Sequence, residues 1–208
     1  NRRAKATGGY DYFLDTDYVG NVTNLLTYSE QFDNADWSKS GAGILSNVTT
    51  APDGTLTADK LSEVATTNSK RLIQDINVSA STIYTYSFYI KNNGRPNGRI
   101  RVSTNIGWVG EVVYDIAGGA VSNVGAVTES SIVKLENDWY IVSVTFPTQV
   151  GATVSGSGIY LKNTAGAENY LGDGTSGVYL WGAQLTESAK VLPYVKTLDA
   201  PVTQTFTE

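Results

Sequence analysis

Residues 83–91 read Ile-Tyr-Thr-Tyr-Ser-Phe-Tyr-Ile-Lys, an almost unbroken run of aromatic and β-branched side chains, preceded by Ser79-Ala80-Ser81 and followed by Asn92-Asn93-Gly94-Arg95-Pro96. Such a run suits a pleated strand, and the small and turn-prone residues on either side end it. The same punctuation recurs along the chain. Arg99 to Ser103 alternates strictly, with Ile100 and Val102 on one side and Arg99, Arg101 and Ser103 on the other. Trp108 to Ile116 reads as a strand stopped by Gly118-Gly119. Ile132 to Glu136 and Trp139 to Phe146 flank Asn137-Asp138, a hairpin signal. Ser157 to Asn163 and Val178 to Leu185 follow, and further strands are expected near 43–49, 58–63 and 70–78. Asp59 to Val64 also admits one helical turn. No segment sustains a 3.6-residue period.

Nine or ten short strands with turns every 8–15 positions predict an all-β chain: an antiparallel β-sandwich of the jelly-roll kind, each sheet burying one face against the other. The 208 residues suit one domain of this type. The sandwich is expected over 23–198, with an N-terminal arm at 1–22 and a C-terminal tail at 199–208. The arm begins with basic residues and continues Tyr10-Asp11-Tyr12-Phe13-Leu14-Asp15-Thr16-Asp17-Tyr18. Two readings stand open for it: a flexible terminus, or an extended arm whose Tyr10, Tyr12, Phe13 and Tyr18 dock on a neighbouring subunit.

Composition narrows the chemistry. The chain has no histidine, cysteine or methionine. Histidine-based triads, His-ligated zinc, thiolate metal sites and disulfides are therefore excluded. Lys and Arg number 15 against 20 Asp and Glu, a net charge of -5, which argues against a nucleic-acid partner. No apolar stretch is long enough for a membrane-spanning helix, so no membrane insertion is expected.

Several motifs have structural readings that outweigh their functional ones. Gly172-Asp173-Gly174-Thr175-Ser176-Gly177 fits G-x-G-x-x-G, but it leads into the strand-like Val178-Tyr179-Leu180-Trp181 rather than a helix, so it reads as a turn. Asp15-Thr16-Asp17 echoes a calcium loop whose later ligand positions are Val19 and Leu26, which cannot serve. A glycosidase would need two facing carboxylates. Glu111, Asp115, Glu129, Glu136, Asp138 and Asp173 are available, without a spacing that pairs them.

Asn24-Leu25-Leu26-Thr27-Tyr28-Ser29-Glu30-Gln31-Phe32-Asp33-Asn34 with Trp37, then Ala51-Pro52-Asp53-Gly54-Thr55, Ala58-Asp59-Lys60-Leu61, Asn137-Asp138-Trp139-Tyr140, Trp181-Gly182-Ala183-Gln184-Leu185 and Tyr194-Val195-Lys196-Thr197, resemble in order a domain found in phage virion proteins. The resemblance covers roughly residues 24–197. It departs at Ile141, where the pattern has Arg, and at Thr186, where it has Glu, which puts any ligand role at those two positions in doubt. It implies a jelly roll similar to carbohydrate-binding modules, carried on tails, fibres or head surfaces.

The expected function is that of a non-enzymatic virion structural protein: a head decoration, a fibre or a tail component at the virion surface. Its partners would be other virion proteins and further copies of itself, as a trimer or ring. The alternative is a host-surface glycan-binding module acting in adsorption, and a glycan depolymerase ranks below both. For a glycan, the candidate face is Trp108, Tyr114, Tyr86, Tyr89, Arg99, Arg101 and Asn105, with the Arg99/Arg101/Ser103 side facing solvent. Trp37, Trp139 and Trp181 are expected in packing roles. No cofactor is expected. For a structural calcium, the oxygens available are those of Glu30, Asp33 and Asp173.

Overall fold

The computed structural model describes residues 18–207. These form fifteen strands and one 3-10 turn. One sheet holds six strands in the order β10 (Glu129–Lys134), β11 (Trp139–Pro147), β6 (Ile83–Asn93), β14 (Gly177–Thr186), β4 (Ala58–Glu63) and β3 (Ala42–Thr49). The other runs β13 (Asn169–Leu171), β5 (Thr67–Asn77), β12 (Val154–Leu161), β7 (Asn97–Thr104), β8 (Gly107–Asp115) and β9 (Ala120–Gly125), with β2 (Ser38–Ser40) also paired to β5. All strand pairs are antiparallel, and the chain passes repeatedly between the sheets. The all-β jelly-roll sandwich expected from the sequence is the fold.

The core between the sheets follows from strand alternation. Tyr84, Tyr86, Phe88 and Ile90 of β6 and Tyr140, Val142, Val144 and Phe146 of β11 meet Ile100 and Val102 of β7, Val112 and Tyr114 of β8 and Ile159 of β12. Phe32 and Trp37 close one side of this core, with ring centroids 5.1 Å apart. A second cluster lies on the outer face of the six-stranded sheet, where Tyr89, Trp139, Ile141 and Trp181 pack with Ala51 and Ala58. The ring of Tyr194 lies over it, 4.8 Å from Trp181. β6 is therefore covered on both faces, which is why aromatics occupy both of its faces at 84, 86, 88 and 89.

A bulge in β14 between Trp181 and Gln184 permits this packing. Gly182 sits there at φ 58, and a Cβ on it would come within 2.8 Å of the Tyr89 ring. Only glycine suits both the conformation and the space.

The residues carrying the phage resemblance hold one another. The Asn24 amide donates to the carbonyls of Ala183 (3.0 Å) and Val195 (2.8 Å), and its oxygen accepts from the backbone N–H of Leu26 and Leu185. Gln184 donates to the carbonyls of Leu192 and Pro193 and accepts from Val195 N–H. Ser29 meets the Tyr194 hydroxyl at 2.7 Å. Trp37, Trp139 and Trp181 are buried, as expected, and donate to Tyr28 O, Thr50 O and Thr57 Oγ1.

Three expectations need correction. The strand count exceeds nine or ten because β1 (Gly20–Asn24), β2, β9, β13 and β15 (Val202–Phe206) are short or exposed and lack a hydrophobic alternation. Residues 59–63 lie in β4 rather than in a helical turn, because Asp59, Leu61 and Glu63 are buried at every second position. The outer boundaries also move: β1 and β15 pair with each other, so residues 20–22 and 202–206 belong to one ribbon rather than to a separate arm and tail.

Candidate functional site

β-strand register places a set of side chains on the outer face of the seven-stranded sheet. Asp75 of β5, Gly156 of β12, Ser103 of β7 and Trp108 of β8 are successive cross-strand partners. The neighbouring row runs Ile73, Gly158, Arg101 and Glu111. The two glycines leave β12 bare between a strand bearing Ile73 and Asp75 and one bearing Arg101 and Ser103. A Cβ at Gly158 would fall 2.0 Å from the Leu72 carbonyl, so the bareness is enforced by close packing. Trp108, at a bulge in β8, is 49% exposed and its ring lies against Gly125. A groove of about 510 Å³ opens beside this face, lined by Ile73 and Asp75 together with Leu25, Thr27, Asp36, Ser38 and Pro201.

Arg99 and Arg101 project to the outer side, as the alternation requires, but only Arg101 keeps appreciable exposure, at 31% of its side chain against 5% for Arg99. Arg99 donates to both Glu111 carboxylate oxygens at 2.9 Å, and Arg101 Nε reaches the same carboxylate at 3.1 Å. Glu168, from the segment between β12 and β13, closes over both arginines as an ion-pair partner. The Tyr160 ring lies beneath the two guanidinium groups, at 5.3 and 5.0 Å. Burial lowers the Arg99 pKa, opposed by its hydrogen bond to Glu111.

Tyr114 and Tyr86 are buried in the core, and Tyr89 is buried in the second cluster, so none can stack on a surface ligand. Asn105 is exposed, but its side-chain oxygen accepts from the N–H groups of Thr153 (2.9 Å) and Val154 (3.1 Å), which makes it a loop clamp. Trp108 and Arg101 are thus the two named residues that the structure brings to one accessible face. Asp75, Glu111, Tyr160 and Glu168 join them there, although the sequence reading did not assign them to the face. The glycines at 156 and 158, two apart on one strand, were the local signal for a bare track.

The carboxylates named for calcium are not assembled. Glu30 accepts from Lys196 Nζ at 2.6 Å and from the Tyr194 hydroxyl at 3.1 Å. The carbonyl oxygens of Phe32, Asp33 and Asn34 hold the Lys39 ammonium. Asp173 caps its own turn through Thr175 and Ser176 N–H and meets Arg95 at 3.3 Å. Among the described residues, no group of three acidic side chains could hold a metal ion. The 172–177 run is the turn expected of it. Of the candidate catalytic carboxylates, Glu111 is paired with the arginines, Asp115 caps a turn through Ala117 N–H and Asp138 pairs with Lys134. Of the arm aromatics, Tyr10, Tyr12 and Phe13 lie outside the described residues. Tyr18 contacts its own chain, donating to Asn21 O and packing against Phe206.

Two buried polar networks escaped the sequence reading. The Glu63 carboxylate accepts from Arg95 (2.7 and 2.8 Å), the Tyr170 hydroxyl (2.7 Å) and Asp173 N–H (2.6 Å). Asp59 accepts from Phe32 N–H and Asn47 N–H, each at 2.9 Å. Desolvation, aided by the nearby charges of Asp33 and Glu30, raises the Asp59 pKa to about 6. Both networks brace loops and face no cavity described above.

No protein-family model matches the chain, and no curated protein sequence matches it. Solved structures do resemble it. The enzymatically active domain of bacteriophage CBA120 tailspike protein 4 is 15% identical with a TM-score of 0.49, over 78% of this chain and 21% of that one. A Clostridium thermocellum xylanase with carbohydrate-binding and catalytic modules is 14% identical with a TM-score of 0.45, over 86% and 30%. The carbohydrate binding module of Cellvibrio mixtus lichenase 5A, in complex with cellotriose, is 12% identical with a TM-score of 0.39, over 80% and 96%. The chain thus spans less than a third of the first two proteins. The likeness is one of β-sandwich architecture and carries nothing about ligands.

Proposed function

We propose that the chain is a non-enzymatic jelly-roll module of a phage virion. The observation that supports this most is where the virion-type motifs place their polar groups. Asn24, Ser29, Gln184 and Tyr194 hydrogen-bond to one another's segments inside the fold. The residues that resemble virion domains thus lie in the scaffold, which supports reading the chain as a module built into a particle. The test is quantitative mass spectrometry of purified particles from the source phage. The chain is expected at a fixed ratio to the major head or tail proteins. A chain found free in the lysate and absent from particles overturns the reading.

A second reading concerns what the module contacts. Trp108 is exposed on the same outer face as Arg101, Ser103 and Asp75. An indole stacks on the apolar side of a sugar ring while neighbouring polar groups meet its hydroxyls. We assign host-surface glycan to this face. Binding to host envelope polysaccharide should be lost on Trp108→Ala with the fold intact, and binding that survives the substitution would remove Trp108 from the site.

A further inference from the structure

The guanidinium fork of Arg99 is only half filled. Arg95 shows a filled one: its Nε and Nη2 both reach the Glu63 carboxylate, at 2.8 and 2.7 Å. The same edge of Arg99 is closed differently. Its Nη1 donates to Glu111, its Nη2 has Glu168 as an ion-pair partner, and its Nε is buried with no hydrogen-bond partner. The Nε–Nη2 edge of an arginine matches the two oxygens of one carboxylate. A buried N–H left unmet is costly, so this edge favours a carboxylate that reaches both nitrogens.

The surroundings suit an anion arriving from outside. Arg99 and Arg101 both lie over the Tyr160 ring. Arg71, the cross-strand partner of Tyr160 on β5, is exposed. Three arginines thus share this patch with two carboxylates, Glu111 and Glu168, in a chain whose net charge is -5. Glu111 is fixed on β8 and is 8% exposed. Glu168 belongs to the connection between β12 and β13, which is closed by its own bonds: Gly166 N–H donates to Asn163 O, Asn163 N–H to Ala167 O, and Ala167 N–H to the Asn163 side chain. Glu168 covers the Arg99 edge and can turn outward without breaking a strand pair. A ligand carboxylate in its place leaves the charge balance of the cluster unchanged, so the exchange avoids the cost of burying an unpaired ion. Register sets Arg101 diagonally across from Trp108, whose partner is Ser103.

We propose that this face selects acidic glycans. The carboxylate of a uronic-acid residue displaces Glu168 and fills the Nε–Nη2 edge of Arg99 beside Arg101, while a neighbouring sugar stacks on Trp108. This rests on the assignment of glycan to the Trp108 face.

The test measures binding of the full chain to polygalacturonate, alginate and hyaluronan, each beside its methyl ester, which keeps the shape and removes the charge. At least one acid form should bind about tenfold more tightly than its ester. Glu168→Gln should tighten the acid form by about threefold or more and leave the ester unchanged, because the internal competitor has lost its charge. A Glu168 that only braces its loop would give no such gain. Arg101→Gln should erase the preference for the acid, and Glu168→Gln decides the matter if that variant fails to fold. Acid and ester bound alike, or a preference that both variants leave intact, overturns the inference. Failure of all three acids while host envelope polysaccharide still binds through Trp108 also overturns it and leaves the glycan reading standing. Loss of all glycan binding removes both.

Discussion

A single nitrogen of Arg99 donates to both carboxylate oxygens of Glu111, at 2.9 Å each, with Arg99 and Glu111 only 4% and 8% exposed on the outer side of the sheet. Their alternation reads as a wet face, yet this part of it is a desolvated ion cluster capped by Glu168. A buried pair broken on one side leaves an uncompensated charge. Glu111→Ala should therefore destabilise the chain by about 3 kcal/mol in urea unfolding. A loss below about 0.5 kcal/mol would show that Glu168 or water, rather than Glu111, satisfies Arg99.

Trp181 and Trp108 make a contrasting pair. Trp181 is 5% exposed, its ring centroid lies 5.1 Å from that of Tyr89 and its N–H reaches Thr57 Oγ1, while Trp108 is 49% exposed. Trp181→Ala should cost about 4 kcal/mol through cavity formation. Trp108→Ala should cost under about 1 kcal/mol. Equal losses in denaturant unfolding would contradict the division into scaffold and contact surface.

How far the sequence carried the reading follows from the same residues. The strand at 99–103 was legible because one face is apolar and one is not. In β6 residues 84–90 are all buried, which erases the period, and so Tyr86 and Tyr89 were both read as surface candidates although one faces the core and the other the Trp181 cluster. That cluster is closed by residues far away in sequence, around Ala51 and Tyr194, as Arg99 is closed by Glu168. Long-range covering leaves no local signature. β2 and β13 were missed for a related reason: three residues each, they exist through pairing to β5.

Acidity should stabilise the fold over one window. The Asp59 pKa rises from 3.8 to about 6 on folding. The folded state thus holds this proton more tightly, so its contribution is complete below pH 3.8 and disappears as pH rises through about 6. With no histidine in the chain, little else titrates there. Stability should increase by about 1 kcal/mol from pH 7 to pH 5, and Asp59→Asn should flatten that slope. Stability that falls on acidification over this range would contradict the placement of Asp59.

The hairpin at 136–138 stores local strain. Asn137 and Asp138 lie at φ 53 and 59, where a side chain is disfavoured. Asp138→Gly should raise stability by about 0.5 kcal/mol, since Asn-Gly fits this turn and the Lys134 ion pair that is lost is exposed. A lower melting temperature for the variant would show that the ion pair outweighs the strain.

The central proposal is that this sandwich is a virion scaffold with one working face. A cryo-EM map of the intact particle tests it most directly. The account predicts the fifteen-strand module at the particle surface, with Trp108 and Arg101 facing solvent. A particle without the module, or one in which the Trp108 face is buried against the shell, would contradict it.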